Sequence, residues 1–351
     1  MTAAKKKNSR RKQARFRSSR RKRIRNTVLL LLLLVVLGGT GIGAIYVLQN
    51  GTVFDKLEDA YVASREFSGG ITDLDSLRAD GFAKNLCVVV SDVPMDGVSL
   101  GENQKGLLLD LDDRKVLYSK QALQKVYPAS ITKIMTAMLA LKYGNMDDVV
   151  TITQENLNLE EGSQVCGFWA GDQVTMDQLL HCLLVYSGND AAAAIAEHVG
   201  GSTDGFVEMM NSYARELGCT GTHFTNPHGL QDENHYTTPY DIYLMLKEAL
   251  NYPEFTQITQ SGSYTVEYTH ADGSSASTTL LATDHYLTGE ATPPKNVTIL
   301  GGKTGTTDNA GNCLALLSQN AYGKPYISIV MGASTKDELY EQMSSLLQNI
   351  N

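Results

Sequence analysis

Ser130 and Lys133 are the two residues of this sequence whose types and spacing most clearly allow chemistry. A serine hydroxyl becomes a strong nucleophile when a neighbouring base accepts its proton, and a lysine amine is such a base when it is neutral. Because they are three positions apart, the two side chains share one face at the start of a helix. The helix N-terminus also offers backbone N–H groups and a positive dipole end, which stabilise negative charge. The pair therefore predicts a serine nucleophile with an amine base within reach.

The helix that carries Lys133 is predicted to be buried, because its apolar residues point in nearly all helical directions. They are Ile131, Ile134, Met135, Ala137, Met138, Leu139, Ala140 and Leu141. A buried ammonium is costly unless it is paired or takes part in chemistry. The alternative role for Ser130 is a helix N-cap. The same Ser-x-x-Lys spacing occurs at Ser9–Lys12 and Ser19–Lys22 in a basic segment that forms no pocket, so burial is what distinguishes Ser130.

A second polar segment, Ser187-Gly-Asn189, lies at a break between the apolar residues 183–186 and an alanine-rich helix that begins at Ala191. Ser318-Gln-Asn320 has the same pattern but lies on a predicted turn late in the chain. We therefore treat the later segment as a decoy and the earlier one as a candidate part of the site.

A third segment, Lys303-Thr-Gly305, follows the strand-like residues 298–302. Glycines before and after the lysine permit a ligand to approach the backbone closely. The alternative is a lysine on a solvated strand, which would be acceptable if this segment stood alone.

The elements that must position these segments are strands at both ends of the body and helices in the middle. Alternating or continuous apolar runs predict strands at 86–90, 106–111, 116–118, 297–300, 313–317 and 326–331, with Asp112-Asp113 as a hairpin turn. Helical spacing predicts helices at 131–143, 176–185, 191–199, 206–217, 239–250 and 338–347. One sheet assembled from N- and C-terminal strands around a helical insert is an α+β layout.

The charge of the 351-residue chain is unevenly distributed. Residues 1–26 contain 13 of the 30 Lys/Arg and none of the 38 Asp/Glu, so the rest of the chain carries a net charge of −21. Such an acidic body argues against nucleic-acid binding. Residues 27–48 contain no charged residue, and 22 residues span about 33 Å as a helix, which is enough to cross a membrane.

The positive-inside rule then predicts a single-pass protein with four parts. They are a basic cytoplasmic tail at 1–26, a transmembrane helix at 27–48, a linker at 49–80 and an extracytoplasmic catalytic domain at 81–351. The alternative is secretion after signal cleavage, for which Gly41, Gly43 and Ala44 offer small residues. Whether the apolar segment is cleaved stays open.

The cysteines and histidines do not suggest a metal site. The five cysteines contain no Cys-x-x-Cys pair, and we expect them to be small buried apolar residues, although one disulfide stays open. None of the seven histidines forms a His-Glu-x-x-His pair. We therefore expect neither a metal nor another cofactor.

The three polar segments in this order resemble the catalytic motifs of penicillin-binding proteins and serine β-lactamases. Longer stretches resemble one branch, the low-molecular-mass serine D-alanyl-D-alanine carboxypeptidases; these are residues 128–137, 187–192, 222–230 and 302–307. The similarity extends from about Gly106 to Ser334. It implies the α+β transpeptidase fold of penicillin-binding proteins, peptidoglycan stem peptides as substrates and β-lactams as covalent inhibitors. Members often carry a second β-rich domain and a C-terminal anchor, and we expect the N-terminal span to replace that anchor.

The resemblance also implies roles for individual residues. Ser130 would attack the carbonyl between the last two D-alanines, Lys133 would accept its proton, and Ser187 would relay a proton to the leaving amine. Substrate binding would fall to Asn189, Lys303, Thr304, Gly305 and Thr306. Within that set, Asn189 would orient Lys133 and the substrate amide, and Lys303 and Thr304 would hold the terminal carboxylate. The backbone N–H groups of Ser130 and Thr306 would form the oxyanion hole.

Three other activities would make their own demands on the sequence. An endopeptidase that cuts peptidoglycan cross-links would use the same residues. A class A β-lactamase would need a Glu-x-x-Leu-Asn segment after the Ser-x-Asn motif, whereas the nearest match, residues 155–158, is one residue short and precedes it. A β-lactam sensor would need a signalling route, which one span and 26 cytoplasmic residues do not supply. The carboxypeptidase is favoured, and the endopeptidase stays open.

Overall fold

A computed structural model of the chain describes residues 85–350. The predicted tail, transmembrane helix and linker lie outside the described residues, as do residues 81–84 and 351. Over residues 85–350, every helix is too short or too polar to cross a membrane.

The described part of the chain contains nine strands and eight α-helices. The strands are β1 (Lys105–Asp110), β2 (Lys115–Lys120), β3 (Val149–Thr151), β4 (Gln173–Thr175), β5 (Ser263–Thr269), β6 (Ser275–Leu281), β7 (Thr298–Thr307), β8 (Gly311–Gln319) and β9 (Pro325–Ala333). The helices are α1 (Lys133–Tyr143), α2 (Met176–His181), α3 (Asn189–Gly200), α4 (Thr203–Glu216), α5 (Pro239–Ala249), α6 (Pro253–Thr259), α7 (His285–Thr288) and α8 (Lys336–Leu347). This order confirms the α+β fold class.

A five-stranded antiparallel sheet with the order β2-β1-β9-β8-β7 joins both ends of the described chain, as predicted. Its central strands are buried on both faces, and therefore their sequences are continuous apolar runs. Leu107 and Ile329 pack on one face with α1 and the other middle helices, whereas Leu108 and Val330 pack on the opposite face with α8. The sheet therefore separates two apolar cores, and β7 is one of its two edge strands, opposite β2.

Helix α1 lies in the larger core and is buried from Lys133 to Ala140, as its apolar pattern predicted. It packs against α3, α4 and α5. Met135, Met138 and Leu139 are fully buried, and each contributes roughly 2 kcal/mol to folding. This burial offsets the cost of enclosing the lysine at the start of the helix.

A second sheet, with the order β3-β4-β5-β6, was not predicted. Its strands are short or rich in serine and threonine, and β5 and β6 each bury only one residue, Val266 and Leu280. The apolar alternation that identifies a strand is therefore weak in this part of the sequence.

Three local predictions were wrong. Residues 86–90 do not form a strand. The segment Lys303-Thr-Gly305 lies inside β7 rather than after a strand. Ser318 lies near the end of β8 rather than on a turn, and the Asn320 amide donates to the carbonyl of Ile350 at the C-terminal end of the described chain. The last finding supports the treatment of Ser318-Gln-Asn320 as a decoy.

Candidate active site

Ser130 lies in a short 3₁₀ turn, Ala129–Thr132, that leads directly into α1. Ala129 has a φ of 48°, which is strained for a residue with a side chain. The Thr132 hydroxyl donates to the Ala129 carbonyl at 2.8 Å and lies 2.8 Å from the Nε2 atom of His235. Gly229, at a φ of +88°, packs against this carbonyl so closely that an added Cβ would lie 1.9 Å from its oxygen. The turn that contains Ser130 is therefore held in place by His235 and by Gly229.

The Lys133 amine lies 2.9 Å from the Ser130 Oγ atom. It also lies 2.6 Å from the Asn189 Oδ1 atom and 2.8 Å from the His228 carbonyl oxygen, both of which only accept hydrogen bonds. A neutral amine has two N–H donors for these acceptors and a lone pair that can accept the serine proton. Burial, together with the positive charge of Lys303, lowers the pKa of Lys133 well below its ordinary value. The geometry and the lowered pKa therefore both favour the neutral form of the Lys133 amine.

Ser187 is placed by an irregular helix end. After α2 the chain forms a π-helical turn, Cys182–Tyr186, and Ser187 follows it in the left-handed conformation with a φ of 72°. The turn changes the direction of the chain, and Ser187 and Asn189 both line one cleft. The Ser187 Oγ atom is buried and has no hydrogen-bond partner within residues 85–350. A buried hydroxyl left free in this way is available to a substrate.

Residues Lys303 to Thr306 reach the nucleophile from the edge strand β7. An added Cβ at Gly305 would lie 3.0 Å from the Ser130 and Ile131 backbone nitrogens, so only glycine permits this approach. The Thr304 hydroxyl bonds the Thr283 hydroxyl at 2.5 Å. Burial lowers the pKa of Lys303 to about 7, while the nearby Asp284 raises it.

One cleft of about 340 Å³ brings the predicted residues together. Its walls include Ser130, Ser187, Asn189, Thr304, Gly305 and Thr306. The two lysines, Lys133 and Lys303, are buried behind these walls, each no more than 1 % exposed. The site therefore holds a serine hydroxyl, a buried amine with a lowered pKa and backbone N–H groups close to one another. These groups suit acyl transfer.

Comparisons with known proteins agree with this geometry. A family model described as D-alanyl-D-alanine carboxypeptidase, Peptidase S11, matches residues 101–335, which is more than half of the chain. The chain belongs to this family. Penicillin-binding-protein-like DD-peptidases thus share its fold, and the resemblance inferred from the motifs is confirmed.

Individual relatives give the extent of the similarity. The chain is 36% identical over 251 residues to the D-alanyl-D-alanine carboxypeptidase DacF of Bacillus subtilis, covering 70% of this chain and 61% of DacF. It is 31% identical to a D-alanyl-D-alanine endopeptidase of Pseudomonas aeruginosa, covering 65% of this chain and 72% of that protein. The chain thus spans about three fifths of the length of DacF and of several other curated carboxypeptidases.

Solved structures show the same fold. The DD-transpeptidase of Streptomyces K15 matches with a TM-score of 0.64 and 28% identity, covering 69% of this chain and 95% of that one. A D-alanyl-D-alanine carboxypeptidase of Mycobacterium tuberculosis H37Rv matches with a TM-score of 0.63 and 28% identity, covering 74% of this chain and 93% of that one.

Several residues around the site were not predicted from the sequence. The His228 carbonyl bonds Lys133, Thr283 bonds Thr304, and the side chain of His235 supports the turn before Ser130. The available signal was the family-like segment 222–230, which contains His228 and Gly229. A backbone carbonyl gives no residue-type signal, and so its role could be found only in the fold.

The structure also tests the prediction of buried cysteines and shows where residues 155–158, the nearest match to the β-lactamase segment, lie. All five cysteines lie in the described part of the chain, where each is buried and free. Over residues 85–350, the His, Cys, Asp and Glu side chains form no group of three or more that could hold a metal ion. The segment 155–158 lies outside the cleft, and its Asn156 amide donates to the Glu197 carboxylate.

Lowering the pH from about 7 to about 4.5 is expected to destabilise the protein, because two buried histidines are neutral in the fold. Burial, the main cause, lowers the pKa of His228 to about 3 and of His235 to about 4. Unfolded histidine binds its proton near pH ~6.5, so their contribution is complete above that value and is lost as the pH falls towards 4. Urea unfolding at several pH values should show a loss of about 1.4 kcal/mol per pH unit for each histidine.

The His235→Gln variant separates this effect from general acid unfolding. Between about pH 6.5 and 4.5, the free energy of unfolding of this variant should lack the pH dependence that His235 contributes in the parent protein. Equal pH dependences for His235→Gln and the parent would refute the assignment.

Proposed function

We propose that the protein is a serine D-Ala-D-Ala carboxypeptidase that removes the terminal D-alanine from peptidoglycan pentapeptide stems. One observation carries the proposal. The Lys133 amine lies 2.9 Å from the Ser130 hydroxyl, while its two other contacts are acceptors that take up both N–H groups of a neutral amine. The lone pair of this amine is therefore directed to the proton that the nucleophile must lose.

The first half of the reaction is acylation. The Ser130 Oγ atom attacks the carbonyl carbon between the last two D-alanines as its proton moves to the Lys133 Nζ atom. The carbonyl oxygen becomes negatively charged and accepts hydrogen bonds from the backbone N–H groups of Ser130 and Thr306. The C–N bond then breaks, and the proton reaches the leaving amine through the Ser187 hydroxyl. The shortened stem stays bound as a serine ester.

The terminal carboxylate of the substrate would be held at the Lys303 end of β7. A pKa of about 7 leaves Lys303 partly protonated at neutral pH, and an arriving carboxylate favours the charged form. The Thr304 hydroxyl lies on the cleft wall and can exchange its bond with Thr283 for one to the carboxylate. Asn189 would orient both Lys133 and the substrate amide.

Deacylation returns the enzyme to its starting state. A water molecule attacks the ester carbonyl after the D-alanine has left, and the neutral Lys133 amine accepts its proton. The ester C–O bond breaks, and the Ser130 oxygen takes the proton back. β-Lactams would acylate the same serine, which explains why we expect them to be covalent inhibitors.

The test of this function is product analysis with the full chain in detergent. A pentapeptide stem should release free D-alanine and leave a tetrapeptide, as measured by mass spectrometry, whereas a cross-linked dimer should be cut far more slowly. The endopeptidase from Pseudomonas aeruginosa among the relatives keeps cross-link cleavage as the second candidate. Faster cleavage of the dimer than of the pentapeptide would favour that candidate instead.

We also propose that the catalytic domain acts outside the cell, anchored in the bacterial membrane by residues 27–48. Support comes from the uncharged length of this segment, the 13 basic residues before it and the acidic body after it. Alkaline carbonate extraction of membranes should leave the chain in the pellet. Its release in a shortened form would indicate signal cleavage and a secreted enzyme.

A further inference from the structure

Asp284, the residue immediately before α7, has a buried carboxyl group with one free oxygen. The residue is 6 % exposed. Its Oδ1 atom accepts hydrogen bonds from the Tyr286 N–H group at 2.9 Å and from the Tyr340 hydroxyl at 3.2 Å. Its Oδ2 atom has no hydrogen-bond partner within residues 85–350. A buried carboxylate oxygen without a partner is costly unless a positive charge lies nearby.

Lys303 supplies a positive charge to this part of the molecule. Asp284 lines a small cavity together with Gly302 and Thr304, the two neighbours of Lys303 in β7. Helix α7 also packs against β7. Burial lowers the pKa of Lys303 to about 7, and the charge of Asp284 acts in the opposite direction. The carboxylate and the ammonium are therefore close enough to interact.

Lys303 has no acid in direct contact with it. Within residues 85–350 it forms no ion pair, and its amine donates one hydrogen bond, to the Thr304 carbonyl at 3.1 Å. The Lys133 amine on α1 also interacts with Lys303, but its charge has the same sign and cannot stabilise the ammonium. In the described part of the chain, Asp284 is therefore the acid that opposes the effect of burial on Lys303.

The charge of Asp284 depends in turn on groups from α7 and α8. Burial raises the pKa of its carboxyl group. The hydrogen bonds from Tyr286 and Tyr340 lower this pKa. The positive charges of His285 and Lys303 lower it further. Because an acid becomes more ionised as the pH rises, the negative charge of Asp284 increases towards the pH range in which Lys303 loses its proton.

We propose that Asp284 is a positioning residue of the active site, whose buried negative charge stabilises the Lys303 ammonium that receives the terminal carboxylate of the substrate. The inference rests on the proposed function, in which Lys303 holds that carboxylate. Asp284 is not among the residues that line the catalytic cleft, so it acts through Lys303. Without its charge, burial would act on Lys303 unopposed, and less of the protein would carry the ammonium near neutral pH.

Two peptides test the proposal with the full chain in detergent. One is a pentapeptide stem that ends in a free carboxylate, and the other is the same peptide ending in an amide. The ratio of kcat/KM for the acid over the amide measures recognition of the carboxylate, and changes in the Lys133 base cancel in it. For the parent protein we expect a ratio of about 100 at pH ~5.5, which corresponds to a hydrogen bond between charged groups.

The Asp284→Asn variant keeps the oxygen that accepts from Tyr286 and Tyr340 but has no charge. At pH ~7.5 its ratio should be about fivefold or more below the parent ratio, because a shift of one pKa unit changes the protonated fraction of Lys303 by up to about tenfold. At pH ~5.5 Lys303 is protonated in both proteins, and the two ratios should agree within about twofold.

Glu290→Gln is the matched control, because this exposed acid lies 3.4 Å from the ring of His285, the residue after Asp284. It should keep the parent ratio at both pH values. A second variant, Asp284→Ser, should show the same loss at the higher pH if the asparagine variant does not fold. An unchanged ratio at pH ~7.5, or an equal loss at both pH values, would overturn the proposal. So would an increased ratio, which would mean that Asp284 mainly repels the substrate.

Failure of the proposed function gives a different pattern, because the parent protein would then release D-alanine from the pentapeptide at neither pH. Calorimetric Kd values of the two peptides for the Ser130→Ala variant then take the place of kcat/KM. A preference for the acid that Asp284→Asn lowers about fivefold at pH ~7.5, but not at pH ~5.5, supports the proposal. A preference that Asp284→Asn leaves unchanged, or no preference at all, overturns it.

Discussion

Replacing Ser130 with alanine is expected to abolish D-alanine release and covalent labelling by penicillin, with a loss of about 10⁴-fold or more in kcat/KM. The alanine has no oxygen to form the ester, and neither step of the reaction can proceed without it. The fold should survive, because the lost hydroxyl has one hydrogen-bond partner within residues 85–350, the Lys133 amine, which keeps its bonds to Asn189 and His228. Labelling with fluorescent penicillin and thermal unfolding measure the two effects separately.

The decoy motif supplies a matched control for this substitution. Ser318 is fully buried, and its hydroxyl has no partner within the described residues. Ser318→Ala should therefore keep full labelling and D-alanine release with little change in stability. Labelling that persists in Ser130→Ala, or that disappears in Ser318→Ala, would contradict the assignment of the nucleophile.

Replacing Lys133 with methionine is expected to slow acylation of Ser130 by about 10³-fold, because the serine then has no base for its proton. Methionine has a similar length and fills the buried space without a charge. The fluorescent-penicillin acylation rate at about pH 7 measures the loss. Lys142→Met is the control, since this exposed lysine lies at the other end of α1. Its amine lies 3.9 Å from the centre of the Tyr213 ring and 5.3 Å from the centre of the Tyr143 ring.

The pH dependence distinguishes a base from a merely structural lysine. Burial lowers the pKa of Lys133 in the fold, so the neutral base is present well below pH ~10 and is lost only as the pH falls through the lowered pKa. The parent acylation rate should therefore decrease on acidification, and the Lys133→Met rate should not follow it. A parallel decrease in both proteins would show that another group controls the proton.

The free energy of unfolding also depends on the lowered pKa of Lys133. In the unfolded chain Lys133 binds a proton up to pH ~10.4, whereas in the fold its lowered pKa makes it lose the proton at a lower pH. The unfolded state then binds more protons, and the free energy of unfolding increases as the pH rises from the lowered pKa towards ~10.4. The Lys133→Met variant should lack the part of this increase that comes from Lys133. The part that comes from the buried Lys303, which has a pKa of about 7, should remain.

The candidate catalytic residues and much of the architecture could be predicted from the sequence. A serine and a lysine three positions apart could be interpreted as a candidate catalytic pair without a structure. The reason is that the residues of α1 are apolar on all sides of the helix, which predicts its burial. The strands that form the five-stranded sheet were recognisable for the same reason. Their central members are covered on both faces and are therefore apolar throughout.

The groups that complete the site can be recognised only in the folded chain. The Lys133 amine takes a backbone carbonyl from His228, 95 residues away, as its third partner, and a carbonyl is present at every position of the sequence. The position of Ser187 depends on a π-helical turn, which has no distinctive residue pattern. The second sheet was missed because its strands bury too few side chains to leave an alternating pattern.

A cavity of about 620 Å³ outside the catalytic cleft can likewise be recognised only in the folded chain. Its four charged residues, Lys105, Lys125, Glu233 and Asp308, come from β1, the segment before Ser130, residues 229–236 and the β7–β8 hairpin, and nothing in their sequence spacing relates them. Periodicity reports what each residue does within its own helix or strand. The distances between remote segments are set by how the apolar faces pack together, and they can be known only when the chain is folded.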